Sequence, residues 1–126
     1  MAASNFDKLA LRDNRRKLEV GGVFVTQGDV IGDVTVRFVL IPDKVPAALT
    51  DPIIGTARIT RVRRLPNSAI SQARFRKVVN NRFKLPAGKK VRGIGIAVAV
   101  KKPDPSDHPD PPAFETFTWC VDLEVT

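Results

Sequence analysis

Residues 116–125 read TFTWCVDLEV and alternate between polar and apolar side chains along their whole length. In an extended strand, this period of two places the apolar side chains on one face and the polar ones on the other. The apolar face consists of Phe117, Trp119, Val121, Leu123 and Val125. The stretch therefore predicts an amphipathic β-strand with one face against a core, and Cys120 on the polar face.

The same period recurs further towards the N-terminus. In residues 33–40 (DVTVRFVL), one face carries Val34, Val36, Phe38 and Leu40. Residues 17–26 and 53–64 also have the composition of strands, and Gly21-Gly22 predicts a bulge in the first of them. β-type alternation therefore dominates the chain.

Residues 93–100 (GIGIAVAV) form a strand pattern with two apolar faces of unequal bulk. One face carries Ile94, Ile96, Val98 and Val100. The other carries only Gly93, Gly95, Ala97 and Ala99. Since small side chains let other groups approach the backbone, we expect a neighbouring sheet or a partner to pack closely on the bare face.

The segment 68–85 is compatible with more than one structure. A helix would scatter its apolar residues around the cylinder. An extended strand gathers most of them on one face, namely Ala73, Phe75, Val79, Phe83 and Leu85. We therefore predict a strand, with a hairpin turn at Asn80-Asn81 as the open alternative. Short helices remain compatible with residues 46–49 and 68–72.

These patterns predict one all-β domain over residues 1–126. We expect an antiparallel sandwich or curled sheet of six to eight strands with little helix, closed by the C-terminal strand. Residues 1–16 would form an N-terminal arm or hairpin. Residues 102–113, which are rich in proline and aspartate, would form an extended, solvated loop.

Composition excludes several classes of protein. An apolar content of 43% and a charged content of 27% are globular values, not those of a disordered basic tail. No apolar run reaches the roughly 20 residues of a membrane helix. Residues 1–14 lack the apolar core of a secretory signal, so none is expected. The single Cys120 excludes an intrachain disulfide.

The sequence offers little for catalysis or metal binding. His108 is the only histidine and lies in the proline-rich loop, where a precisely held general base is difficult to build. Asp104, Asp107 and Asp110 recur at every third residue, but the prolines around them favour an extended loop that separates their side chains. We therefore expect no enzyme activity, no metal and no cofactor.

Charge is distributed very unevenly along the chain. No Asp or Glu occurs from Pro52 to Pro103, although this segment carries fourteen of the twenty-one Lys and Arg residues. The formal net charge of +8 therefore conceals a strongly basic segment and an acidic remainder. Such a segment attracts polyanions, of which nucleic acid is the most common.

An extended strand over residues 73–85 would align Arg74, Arg76, Arg82 and Lys84 on one face, about 7 Å apart for every two residues. If the strands that carry them are neighbours, further cations would widen this face, namely Arg58, Arg61, Arg63, Arg64, Lys89, Lys90 and Arg92. These cations are predicted to contact phosphates. Since Phe75 and Phe83 alternate with them towards the core, base-specific reading is not expected. The alternative is a solvated face that prevents edge pairing.

Short stretches resemble small viral coat proteins, especially those of the icosahedral RNA phages. They are residues 3–6 (ASNF) followed by 11–14 (LRDN), and Ser71–Ala73 leading into a basic strand, a turn and a second strand at Val91–Lys101. Those coat proteins end in helices that interlock two subunits, whereas this chain ends on a strand. A jelly-roll capsid subunit is the other viral alternative.

The resemblance implies a subunit whose basic sheet face, with Arg74, Arg76, Arg82 and Lys84, contacts packaged RNA. We thus expect a non-enzymatic coat subunit in a virion, assembled in the host cytoplasm. Its partners would be nucleic acid (RNA favoured over DNA) and other copies in a symmetric assembly, with no membrane and no small-molecule substrate. The alternatives are a cellular nucleic-acid-binding module and a phage tail or adaptor β-sandwich that binds an acidic protein.

Overall fold

The computed structural model describes residues 4–42, 53–82, 84–102 and 113–126. Within these ranges the chain forms eight strands and no helix. In chain order the strands are β1 (Asn5–Arg12), β2 (Lys17–Gln27), β3 (Val30–Pro42), β4 (Ile53–Ile59), β5 (Arg63–Arg64), β6 (Ile70–Asn80), β7 (Lys90–Lys101) and β8 (Ala113–Glu124).

The strands form two antiparallel sheets of four, which confirms the predicted all-β sandwich. The first sheet has the order β1-β2-β6-β5 and the second has the order β4-β3-β7-β8. If the strands are lettered as in antibody domains, these orders are ABED and C′CFG, the arrangement of an immunoglobulin-type sandwich. The shared order concerns architecture only, since this fold carries many unrelated functions.

The C-terminal residue, Thr126, hydrogen-bonds to the backbone of β1, the first strand of the chain. Thr126 donates its amide to the carbonyl of Leu9, and its own carbonyl accepts from Leu11, with both N···O distances 2.9 Å. This pattern is that of a parallel strand pair centred on Ala10. It connects the last residue, which follows β8 of the second sheet, to the edge of the first sheet.

Aromatic rings fill the space between the sheets. The ring of Phe6 on β1 lies 5.9 Å from Phe75, 6.4 Å from Phe38 and 5.7 Å from Trp119, measured between ring centroids. Phe75 belongs to the first sheet, whereas Phe38 and Trp119 belong to the second. One side chain therefore contacts both halves of the core.

The bare face of β7 receives these rings, as expected from its sequence. A Cβ atom added at Gly93 would lie 3.0 Å from Phe6 Cδ2. One added at Gly95 would lie 2.8 Å from Trp119 Nε1 and closer still to two ring carbons. Ala97 and Ala99 continue this buried face, so the bulky face of β7 points to the outside of the sandwich.

The predicted strand over residues 73–85 is wrong beyond Asn80, where β6 ends. Asn81 is buried, and its amide hydrogen-bonds to the backbone of Arg15 and Leu85, so the chain turns there instead of continuing. Lys84 has a φ of +50°, which an extended strand does not accommodate. Phe75 and Leu85 are buried as predicted, whereas Phe83 lies outside the described residues.

Two other sequence expectations change in detail. The strand expected over residues 53–64 is interrupted at residues 60–62, which separate β4 from β5, and these two strands belong to different sheets. The bulge expected at Gly21-Gly22 lies on the opposite strand, where Asp7 is the extra residue between the pairs formed by Phe6 and Lys8. The helix considered for residues 68–72 is absent because β6 begins at Ile70. Residues 46–49 and 103–112 lie outside the described ranges.

Replacement of Gly95 by Ala should destabilise the sandwich, because the new methyl group would overlap the indole of Trp119. We expect a loss of about 1–3 kcal/mol in the free energy of unfolding, measured by urea denaturation. The control is Ile96→Val, an outward change on the same strand, which should alter stability by less than about 0.5 kcal/mol. An unchanged stability for Gly95→Ala would contradict the packing of Trp119 on β7.

Candidate nucleic-acid interface

Arg74 and Arg76 project from the outer face of the first sheet, as the strand pattern predicted. Both lie on β6, and their side chains are 79% and 72% exposed. Across the sheet they are paired with Val23 and Gly21 of β2, which leaves their guanidinium groups uncovered. This part of the predicted basic face is therefore formed by local alternation within one strand.

Carboxylates from β1 and β2 meet this face. Asp7 lies 2.8 Å from Arg74, and Glu19 lies 3.6 Å from Arg76. Glu19 also forms ion pairs with Lys8 at 2.8 Å and Arg12 at 2.7 Å. The acid-free segment is thus partly neutralised by strands that are distant from it in sequence.

Glu19 is the most strongly held of these acids. Its side chain is buried beneath the surrounding cations, and hydrogen bonds from Lys8 and Arg12 lower the pKa of the carboxyl group from 4.5 to about 2. The carboxylate consequently stays charged under all ordinary conditions. It organises Lys8, Arg12 and Arg76 into a network that stabilises the sheet.

Three further arginines of the acid-free segment also have acidic neighbours. Arg58 donates from Nε to Asp33 at 2.9 Å, Arg64 lies 3.7 Å from Asp29, and Arg92 donates to Asp122 at 3.1 Å. Arg58 and Arg92 lie on the second sheet, whereas Arg64 lies at the edge of the first. The expectation that Arg58 and Arg92 widen the face of Arg74 and Arg76 is therefore wrong, because the two sheets point their outer faces in opposite directions. In the first sheet β5 does adjoin β6, and it pairs Arg63 with Gln72 and Arg64 with Ser71.

Arg82 and Lys84 are not aligned with Arg74 and Arg76, because β6 ends before them. They lie instead at the end of the sandwich where β6 finishes and β7 starts, together with Lys89 and Lys90. Two hydrogen bonds hold this connection to the C-terminal residues: Val125 donates to the carbonyl of Lys89 at 2.8 Å, and Gly88 donates to the carbonyl of Val125 at 2.7 Å.

The turn between β1 and β2 brings Arg15 and Arg16 to the same end. The backbone N–H of Asn81 donates to the carbonyl of Arg16 at 2.9 Å. This bond joins the β1–β2 turn to the connection between β6 and β7. We call this surface the basic end. It comprises Arg15, Arg16, Arg82, Lys84, Lys89 and Lys90, accompanied by the acids Asp13 and Glu124.

Sequence reasoning missed Arg15 and Arg16 because they lie outside the acid-free segment. A signal for them existed in RDNRRK at residues 12–17, where Asp-Asn marks a turn that exposes the cations beside it. What the sequence did not show is that this turn lies next to Asn81. That contact joins residues that are 66 positions apart.

The remaining predicted residues lie away from the basic end. Arg63 belongs to β5 and Arg61 precedes it, and both are exposed near the start of β6. An 11-residue strand therefore separates them from the basic end, a distance of roughly 30–35 Å. Phe75, the aromatic residue of β6, is buried as predicted. The outer face of β6 therefore offers no aromatic ring on which a base could stack.

The described part of the chain contains no candidate metal site. No group of three His, Cys, Asp or Glu side chains in those ranges lies close enough together to hold a metal ion. His108 and the aspartates 104, 107 and 110 lie outside the described ranges. Cys120 is exposed on β8. None of the described residues forms a helix long and apolar enough to span a membrane.

Comparison with protein-family models, with curated proteins and with solved structures finds no match to this chain.

Replacement of Glu19 by Gln should weaken the protein in a pH-dependent way. Because folding lowers the pKa of Glu19 from 4.5 to about 2, the carboxylate contributes its full stabilisation above about pH 4.5 and loses it as the pH falls towards 2. The difference in unfolding midpoint between wild type and Glu19→Gln, measured in urea, should therefore be largest near neutral pH and shrink in acid. Glu124→Gln, at an exposed position, is the control. A difference that does not change with pH would contradict the network.

Proposed function

We propose that this protein is a non-enzymatic structural subunit that associates with copies of itself and binds the backbone of nucleic acid, as a viral or phage coat protein does. One observation carries the proposal: cations gather at one end of the sandwich, and four of them form no ion pair among the described residues, whereas a broad apolar surface is exposed on one sheet. The first surface suits phosphates and the second suits another protein. In this proposal the subunit acts in a virion assembled in the host cytoplasm.

The cations support binding to the phosphate backbone rather than to bases. The structure assigns no ion pair to Arg15, Arg16, Arg82 or Lys84 among the described residues. Their charges are therefore available to a polyanion, and the release of counterions from the nucleic acid would favour binding. The proposal names RNA rather than DNA only because short stretches of the sequence resemble RNA-phage coat proteins.

The outer face of the second sheet supports self-association. Because the small residues of β7 face the core, Ile94, Ile96, Val98 and Val100 face outward. Side chains of the neighbouring strands extend this surface: Ile54 is 67% exposed and Phe114 is 77% exposed. Val39 of β3 lies between Ile54 and Ile94 in the cross-strand register. Contiguous apolar surfaces of this kind usually mark contacts between proteins.

A second copy of the chain is the occupant that the charges favour. Each copy carries a formal charge of +8, so two copies repel each other unless they meet at a nearly neutral surface. The charged groups on this outer face are the ion pairs Arg58–Asp33 and Arg92–Asp122, the cross-strand neighbours Lys90 and Glu124 at its edge, and Arg37, so positive and negative charges nearly balance. Association through this face would leave the basic ends accessible to nucleic acid. An acidic protein, by contrast, would be attracted to the basic end.

Nucleic-acid binding should depend steeply on salt. If four phosphates are engaged, the logarithm of the affinity for a single-stranded oligonucleotide should fall by about 3 for each tenfold increase in salt. Fluorescence anisotropy with labelled RNA and DNA, over about 0.05–0.2 M salt, measures this slope. Absence of binding at the lowest salt concentration would refute the nucleic-acid part of the proposal. That result would favour the alternative function, an adaptor β-sandwich that binds an acidic protein.

Replacement of Val98 by Lys should reduce self-association, because it places a charge in the middle of the apolar face. The matched control is Val78→Lys on the outer face of the first sheet. The two valines are 46% and 44% exposed, and the two substitutions change the net charge equally. Sedimentation velocity should show assemblies for wild type and Val78→Lys, and smaller species for Val98→Lys.

Negative-stain microscopy of the wild type completes this test. Particles, tubes or rings are expected for a coat subunit. A wild type that remains monomeric at high concentration would refute self-association and favour the cellular nucleic-acid-binding module. Equal loss of assembly in both valine variants would show that net charge, not the apolar face, controls association.

A further inference from the structure

A cleft of about 420 Å³ opens at the basic end, between the β1–β2 turn and the segment that follows β6. Its volume lies within the range of about 300–1,000 Å³ that is usual for small-molecule sites. The residues that line it are Asn14, Arg15, Arg16, Asn81, Lys84, Leu85 and Pro86. Three cations thus share one concave surface with two apolar side chains.

The two walls of the cleft are fixed by Asn81. Its side-chain amide donates to the carbonyl of Arg15 at 2.9 Å and to that of Leu85 at 3.3 Å, and its Oδ1 accepts from the amide of Leu85 at 2.9 Å. Asn81 is buried, so these bonds are protected from water. Because its polar atoms are already bonded, Asn81 acts as a positioning residue and does not need to contact a ligand.

Backbone conformation also directs the cations of the cleft. Arg15 has a φ of +68° and Lys84 has a φ of +50°, which are left-handed values that non-glycine residues seldom adopt. Asp13 and Asn14 share this conformation in the β1–β2 turn. The tight left-handed turn and the bend at Lys84 therefore bring charges from two separate segments to one opening.

We infer that this cleft binds a phosphate group of a nucleic-acid backbone, and that it is the principal contact site of the nucleic acid proposed above, on which this inference rests. Arg15 and Arg16 supply forked guanidinium donors that match phosphate oxygens, and Lys84 adds a compact charge. Pro86, which is exposed beside the buried Leu85, offers an apolar surface to the adjoining sugar. The outer face of the first sheet is a secondary surface, since Asp7 and Glu19 already engage Arg74 and Arg76.

The test compares two triple variants of the full chain with equal loss of charge. The first, Arg15→Gln/Arg16→Gln/Lys84→Gln, removes the cations of the cleft. The second, Arg61→Gln/Arg63→Gln/Lys102→Gln, removes three exposed cations at the opposite end of the sandwich. Binding of a labelled single-stranded oligonucleotide is measured over the same salt series for both variants and for wild type.

The cleft variant should bind on the order of 100-fold more weakly than wild type at about 0.1 M salt, and its salt slope should be smaller by about 2. The control variant should keep most of the slope. Equal losses in both variants, or no loss in the cleft variant, would overturn the cleft as the site while leaving nucleic-acid binding itself established. A wild type that does not bind the oligonucleotide would overturn both.

A measurement on the wild type protects the test against a cleft variant that fails to fold. Titration with inorganic pyrophosphate, followed by amide chemical shifts, should move the signals of Arg15, Arg16 and Lys84 in a saturable way. The signals of Arg61 and Arg63 should move less. Uniform, non-saturating shifts over all cationic residues would overturn the cleft as a phosphate site.

Discussion

The packing of aromatic rings against the glycines of β7 is the constraint on which the other features of this protein depend. Phe6 comes from the first strand of the chain, yet its ring contacts Phe38, Phe75 and Trp119 and lies on Gly93. The rings of Phe6 and Trp119 lie so close to β7 that a Cβ atom at Gly93 or Gly95 would overlap them, and the buried residues that continue this inner face, Ala97 and Ala99, are also small.

This constraint decides the character of the outer surface. Strand alternation gives β7 a bulky face and a bare one, and the rings take the bare one, so the isoleucines and valines must point outward. In a strand with one polar face, bulky apolar side chains would instead lie on the core side. The exposed apolar face of the second sheet is therefore a consequence of how the core is filled, and it is the basis of the proposed self-association.

Charge shows how far a linear pattern can differ from its arrangement in space. The segment from Pro52 to Pro103 contains no acid, but Arg58, Arg64, Arg74, Arg76 and Arg92 each lie beside a carboxylate from another part of the chain. Conversely, the basic end joins residues of that segment to Arg15 and Arg16, which belong to the acidic remainder. The positive surface is consequently smaller than the sequence predicts and lies at an end of the sandwich, where loops meet.

The sequence by itself determined the strands and which of their faces are buried, because alternation is a local property that each strand expresses without its neighbours. The inward positions of Val34, Val36, Phe38 and Leu40 and the close packing on β7 were predictable for this reason. Only the tertiary structure decided the pairing of strands, the end of β6 at Asn80 and the grouping of charges. These depend on contacts between distant segments, such as Asn81 with the β1–β2 turn and Glu19 with Arg76, and a period of two contains no information about them.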